Sequence, residues 1–365
     1  MNTRTFLMTA ACVSILAFSI TAMAVKSVSK FGKEKPVTIE DFRAHPKDVE
    51  GYHEEWSVGV YNEGTYVGID FVGSNVGIGD MNGAVRAKFE YDGKTKVVKC
   101  KATFDDDEWS FSKTGAFYLQ FGKNRLEGDL KKLKATVRCK KLSIDLEFEN
   151  LVPPLKPGSG VLKFGDGDGE YNIVFPSPRS RATGTVKADG KTFPIDGPGY
   201  ISHSRTTMYP QDQIRRWMRF KSINENHTIV MAEMEAGKPY GRSRNGWVYI
   251  IDSTGRLISS GRTNFQYDGF IKDTKSSEGY TIPRRVRFVA VEGKNQVTGV
   301  LRMSSIKKIS DPTADLGAIK RAFIRRFIKP KSYRLYCDYK INVKTEAGEK
   351  VFEGKGEYTF VYVNP

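Results

Sequence analysis

Metal-binding and redox-active residues are scarce in this chain of 365 residues. It has four histidines and four cysteines, and none stand at the C-x-x-C or H-E-x-x-H spacings that metal sites use. Three of the cysteines, Cys100, Cys139 and Cys337, lie beyond residue 24, too few for a disulfide scaffold. A G-x-S-x-G elbow, a Walker loop and a dinucleotide fingerprint are all missing. No cofactor and no metal are therefore expected. Past residue 24 no apolar run approaches the ~20 residues of a membrane helix. Acidic residues are in the minority: 42 Asp and Glu face 58 Lys and Arg, a net charge of +16. Such a surface attracts nucleic acid, anionic lipid headgroups or cell-surface polymers.

The first residues favour one of these partners. Met1 to Phe6 carries a single charge, Arg4. Leu7 to Ala24 is apolar or small and closes on Ala22-Met23-Ala24. That order predicts a secretory signal peptide at residues 1–24, cut after Ala24. The alternative is a retained anchor, since the run is about the minimum for a span. Cys12 lies inside the apolar run, which argues against a lipoprotein. The expected location is periplasmic or secreted. An exported protein meets phospholipid first, so an anionic membrane surface is the expected partner and nucleic acid is not.

From His53 onward apolar and polar residues alternate with period two, as in Thr95–Phe104, Leu133–Cys139, Arg181–Lys187, Thr228–Met234, Leu335–Val343 and Tyr358–Val363. Turn formers such as Asp92-Gly93, Asp189-Gly190 and Ala347-Gly348 separate these runs. Many short strands, each with one charged face, predict an all-β protein of antiparallel barrels or sandwiches. Residues 25–52 are polar and basic and read as a loose leader. The Pro/Ser-rich stretch Phe175–Ser180 is the best internal boundary, giving an N-terminal domain at 53–180 and a C-terminal domain at 181–365. Alternation turns Cys100 inward with Val98 and Ala102, and Cys139 inward with Ala135 and Val137. The two are either small core residues or, in an oxidising compartment, a disulfide.

One segment breaks the β pattern. Between Asp315 and Pro330, Leu316, Ile319, Phe323 and Phe327 form a stripe at helical spacing, with Arg321 and Arg325 opposite. Lys320, Arg326 and Lys329 frame it. This predicts a short basic amphipathic helix near the C-terminus. Its plainer role is to cover a barrel mouth or sheet face; its sharper role is to lie on an anionic membrane through Lys320, Arg321, Phe323, Arg325, Arg326 and Phe327, and a lid would do both.

The acidic run Asp105–Glu108 reads as a solvated turn, and Gly165–Glu170 as a hairpin turn rather than half a calcium loop. What remains is an aromatic, amphipathic interior; Phe, Trp and Tyr make up 12% of the chain. A closed barrel of about eight strands can hold one small ligand. The candidate ligand-binding residues are Trp56, Tyr66, Asn75, Trp217, Arg219, Glu233 and Trp247. Alternation puts Glu233 on the face of Ile229 and Met231, and Arg219 on the face of Trp217. A Glu233–Arg219 pair could orient a lipid headgroup or supply an acid; a structural ion pair or two surface residues is the plainer reading.

Several stretches together resemble the fungal survival-factor family of two-domain, lipocalin-like proteins. They are Tyr66–Gly77, Phe121–Asp129, Ser143–Gly158, Tyr171–Val186, Arg216–Gly241 and Leu316–Tyr336. The distant relatives of that family are AttH-type bacterial lipocalins, carotenoid hydratases and tocopherol cyclases. The resemblance implies two lipocalin-like β-domains and the handling of lipid or sphingolipid-like molecules, linked to stress survival. It also singles out His203, in Gly199–Arg205, where many relatives carry a His-containing aromatic segment. The leading expectation is a non-enzymatic carrier of a lipid, sphingolipid-like or isoprenoid ligand. One alternative is a hydratase, cyclase or isomerase using Glu233, and His203, for acid chemistry on an isoprenoid. Another is a structural envelope protein.

Overall fold

The computed structural model describes residues 25–62, 64–76, 81–274, 278–311, 313–314, 321–322, 325–326 and 328–363. Its first sheet begins with β1 (Tyr52–Asn62), β2 (Thr65–Asn75), β3 (Asn82–Tyr91), β4 (Lys96–Phe104), β5 (Trp109–Phe111) and β6 (Phe117–Phe121). It continues with β7 (Asn124–Gly128), β8 (Lys132–Arg138), β9 (Leu142–Asn150), β10 (Val161–Phe164), β11 (Gly169–Ala188) and β12 (Lys191–Thr207). The order across the sheet is β4-β3-β2-β1-β12-β11-β9-β8-β7-β6-β5, with β10 paired to β11.

The second sheet holds β13 (Ile214–Ile223), β14 (His227–Ala236), β15 (Arg244–Asp252), β16 (Gly255–Ser260) and β17 (Thr263–Asp268). A two-stranded ribbon, β18 (Ile271–Lys272) with β19 (Thr281–Ile282), interrupts it. It resumes with β20 (Arg285–Glu292), β21 (Asn295–Ser310), β22 (Lys331–Thr345) and β23 (Gly348–Tyr362). Its order is β16-β15-β14-β13-β23-β22-β21-β20-β17. Every pairing is antiparallel, and both sheets curl into nearly closed barrels: β4 comes against β9, and β15 against β17. The expectation of an all-β, lipocalin-like fold is met.

Alternation explains the layers. In β1, Tyr52, Glu54, Trp56, Val58 and Val60 point into the first barrel, and Glu55, Ser57, Gly59 and Tyr61 point out of it. Trp56, Phe71, Phe89, Phe121 and Phe148 fill that barrel. Met218, Phe220, Tyr333, Leu335 and Tyr358 fill the second. A third apolar cluster lies between them, where Phe164, Phe175 and Tyr200 of the first sheet meet Val230, Met234, Trp247 and Tyr249 of the second. Both faces of β14 and β15 are thus buried, which is why these two strands read as nearly continuous apolar runs.

Four expectations need correction or completion. Phe175–Ser180 does not end the first domain, because it lies inside β11. Pro176 and Pro178 sit where the β11–β12 register shifts, between Val174 and Ser177 and again between Ser177 and Ser180. Proline is tolerated at such bulges because no ladder donor is needed there. The chain changes sheet between Thr207 and Ile214 instead.

Residues 25–50 are no loose leader. They form a strap across both barrels, with Phe31 in the inter-barrel cluster and Phe42 in the first core. Lys26 N donates to Pro239 O and Ser29 N to Lys163 O. Cys100 and Cys139 are joined as a disulfide, which ties the edge strand β4 to the turn after β8. Most of the segment from Asp315 to Phe327, including Leu316, Ile319, Lys320, Phe323 and Phe327, lies outside the described residues. Of the described part, Arg321 and Ala322 are helical.

Candidate functional site

Three polar constellations stand out from the apolar framework. The first closes the mouth of barrel one. Glu54, fully buried, accepts hydrogen bonds from Tyr52 Oη and His45 N, and lies 2.8 Å from His203 Nε2. The other ring nitrogen of His203 lies 3.0 Å from the Asp41 carbonyl. Trp56 stacks on the imidazole at 4.6 Å and donates to Phe42 O. Burial raises the Glu54 carboxyl, but His203, Tyr52 and Arg205 outweigh it and hold it low. His203 is thus engaged on both nitrogens, pinned beneath the strap.

The second lies inside barrel two. Glu233 is held by Arg244 at 2.6 Å and Arg216 at 3.8 Å, and accepts from Tyr267 Oη at 2.7 Å. Arg216 also grips Glu235 at 2.5 Å. Every oxygen of Glu233 has a cation or hydroxyl beside it, the bonding set of a buried structural network. It does not pair with Arg219. In β13, Met218 and Phe220 point into barrel two with Glu233, while Trp217, Arg219 and Lys221 point out.

The third lies between the barrels. The outward face of β1 and β2 presents Glu55, Ser57, Asp70, Tyr61 and Tyr66, and β12 adds Ser202 and Ser204 opposite Ser57 and Glu55. Arg219 and Lys221 reach toward this face from β13. The Lys221 ammonium sits 4.0 Å from the Tyr200 ring centre, and the Arg219 guanidinium 5.7 Å from that of Trp217. Glycine makes the floor. Gly59 and Gly68 pair across β1 and β2, and a Cβ there would lie 2.8 Å from the Tyr61 ring and 2.7 Å from the Tyr66 hydroxyl. Tyr61 and Tyr66 lie over this floor with ring centres 5.1 Å apart. The groove runs on into an open trough of about 570 Å³ lined by Tyr66, Asp70, Arg86, Lys88, Lys99 and Lys101.

The electrostatics of the groove are unusual. Burial raises the Glu55 carboxyl, but His53, the Ser57 hydroxyl and Arg219 outweigh it and hold it at about 2. Asp70 is pushed upward, first by burial and then by the charge of Glu55. Burial, with Arg219 adding to it, drives the Lys221 ammonium well below the usual lysine range. Tyr61 is raised to about 12, mainly by burial.

The sequence-based candidates are therefore scattered. Tyr66, Trp217 and Arg219 meet at the groove, and Trp247 lies in the apolar cluster beneath it. Trp56 and His203 belong to the mouth of barrel one and Glu233 to the interior of barrel two. Asn75 ends β2, where its carbonyl accepts from Gly51 N. Glu55, Ser57, Asp70 and Lys221 were not singled out. The outward alternation of β1 and its run of polar, glycine and tyrosine residues on one face was the available signal.

The family profile that matches this chain is that of the Svf1 family, over residues 62–357. The chain belongs to the Svf1 family. No curated protein matches it in sequence. Among solved structures, a putative AttH from Nitrosomonas europaea is 12% identical, with 89% of this chain and 96% of that one covered and a TM-score of 0.55. CghA, solved alone and with Sch210972, is 10% identical, with 93% of this chain and 99% of that one covered and TM-scores of 0.56 and 0.57. At these identities the likeness is one of fold, and it is the lipocalin-like fold expected from the sequence.

Proposed function

We propose that this protein is a carrier of a hydrophobic or amphiphilic small molecule, held in the groove between its two barrels. Membership of the Svf1 family and the lipocalin-like barrels support a protein that binds lipid or other hydrophobic ligands. One observation directs the ligand to the groove. Large side chains fill both barrel interiors, whereas the tyrosines, Glu55, Asp70 and Lys221 between the barrels are only partly covered. CghA, which shares this fold, has been solved with Sch210972.

In this reading the chain is exported after cleavage near Ala24 and works in the periplasm or beyond. The Cys100–Cys139 disulfide suits an oxidising compartment. The net charge and the basic segment around Arg321, Arg325 and Arg326 suit contact with anionic membranes. Stress survival is the physiological setting that the family suggests. The deciding experiment is native mass spectrometry and lipid extraction of the protein purified from its own host, with a fluorescent fatty acid as a second probe. A retained apolar ligand, or micromolar binding of the probe, is expected. An empty protein that binds no probe would remove the carrier.

A second reading, an acid-catalysed hydratase or cyclase, has one observation in its favour. Ser57 Oγ lies 2.6 Å from Glu55 Oε1 and 2.8 Å from Asp70 Oδ1. One hydroxyl proton serves one carboxylate, so the second contact needs a proton on a carboxyl, and Asp70 is the one pushed upward. In this reading Asp70, in the groove, replaces Glu233 as the candidate acid. Turnover of an isoprenoid by the wild type, lost in Asp70→Asn with binding retained, would favour the enzyme.

A further inference from the structure

We propose that Arg219 and Lys221 form a headgroup clamp, and that the amphiphile carried in the groove ends in an oxyanion, a carboxylate or a phosphate. This rests on the groove being the ligand site, and it names the chemistry that the site selects.

Arg219 is exposed and Lys221 half-buried, whereas several buried cations elsewhere in the molecule have partners. Arg179 takes Asn224 O, Glu225 O and Thr228 Oγ1 across the barrel interface, Arg216 takes Glu235, and Lys156 takes Asp41. Among the described residues Arg219 and Lys221 make no hydrogen bond and no ion pair; their contacts are the ring faces of Trp217 and Tyr200. They stand two residues apart on one face of β13, so their like charges are close neighbours. Such a pair is unfavourable unless something anionic comes between.

The facing carboxyls of Glu55 and Asp70 act on these two cations through space, without an ion pair to either. Glu55 is engaged by His53 at 3.6 Å and by Ser57. Asp70 is in contact with Ser57 rather than with either cation, and its carboxyl is pushed upward by burial and by the charge of Glu55. Tyr61, Tyr66, Tyr171 and Tyr200 stand around the groove. The Tyr249 hydroxyl, on a residue 1% exposed, has no partner at hydrogen-bonding geometry although Tyr200 lies beside it. Two unpaired cations ringed by hydroxyl donors are a recognition set for anionic oxygens. For the tail, Ala87, the Tyr66 ring and the aliphatic stems of Arg86, Lys88, Lys99 and Lys101 line the adjoining trough.

The test uses the mature full-length protein and two probes that share a tail, cis-parinaric acid and its methyl ester, followed by fluorescence. The acid should bind about tenfold more tightly than the ester, the discrimination expected of a charge-assisted clamp. Lys221→Met and Arg219→Gln should each cut that preference, and Lys221→Arg should keep it, with circular dichroism confirming the fold. Equal binding of acid and ester by the wild type would overturn the clamp and leave the carrier standing. Binding of neither probe would overturn the carrier itself. Inorganic phosphate should not displace the bound acid. Displacement by millimolar phosphate, lost in Lys221→Met, would reveal a site for a free small anion and overturn the amphiphile.

Discussion

His227 shows how a single buried ring ties the stability of this molecule to pH. Its Nε2 lies 2.9 Å from Ser222 Oγ and 3.2 Å from both Asn224 Nδ2 and Tyr339 Oη, and its ring meets Phe352 edge-on. Burial, and then the charge of Arg179, push it from 6.5 to about 4. Between those values the unfolded chain takes up a proton that the folded chain refuses. The stabilisation is complete above pH 6.5 and is lost as pH falls toward 4, by up to about 3 kcal/mol. His227→Gln should therefore cost less stability at pH 4.5 than at pH 7, read by urea denaturation. The same cost at both pH values would contradict this. At this scale the sequence was half legible. Alternation assigned Glu233 correctly to the face of Ile229 and Met231, and Arg219 to that of Trp217. It could not say which face of β13 looks into the barrel, because β14 is apolar on both faces. Arg219 and Glu233 were drawn together for that reason, although a sheet stands between them.

The disulfide acts at the scale of elements. Cys100 is on β4, the edge of the first sheet, and Cys139 follows β8, a sequence separation of 39. Closing such a loop restricts the unfolded chain by roughly 4 kcal/mol in the entropic account. It also holds an edge strand that lacks a full ladder on its outer side. Reduction, or Cys139→Ser, should lower stability by about 2–4 kcal/mol, with the first barrel unfolding earlier. A denaturation midpoint indifferent to reductant would show that the bond contributes nothing. Strands and turns were legible because period-two alternation and turn chemistry are local. The Pro/Ser stretch misled because proline at a bulge and proline in a linker look alike until the partner strand is known. The strap misled for a similar reason: Phe31 and Phe42 are isolated apolar residues in a polar segment, and their partners lie far along the chain.

For the whole molecule, net charge and its placement decide where a carrier would meet a membrane. Each Lys or Arg beside an anionic surface contributes about 1 kcal/mol, less with added salt. Arg325 is held 3.5 Å from Glu278 and 3.6 Å from Asp311, and Arg326 is exposed. Replacing Arg321, Arg325 and Arg326 by Gln should leave the fold intact and weaken flotation with anionic liposomes at low salt. Unchanged flotation would take this segment out of any membrane contact. The strap, finally, reverses the order of synthesis and burial. Phe31 and Phe42 leave the ribosome early, yet Phe31 is seated among Phe164 and Trp247, and the second sheet is complete only when β23 reaches β13. Contacts of such sequence separation form slowly. Phe42 needs only the first barrel, complete at β12, whereas Phe31 also needs β15 of the second sheet, so the strap closes in two stages.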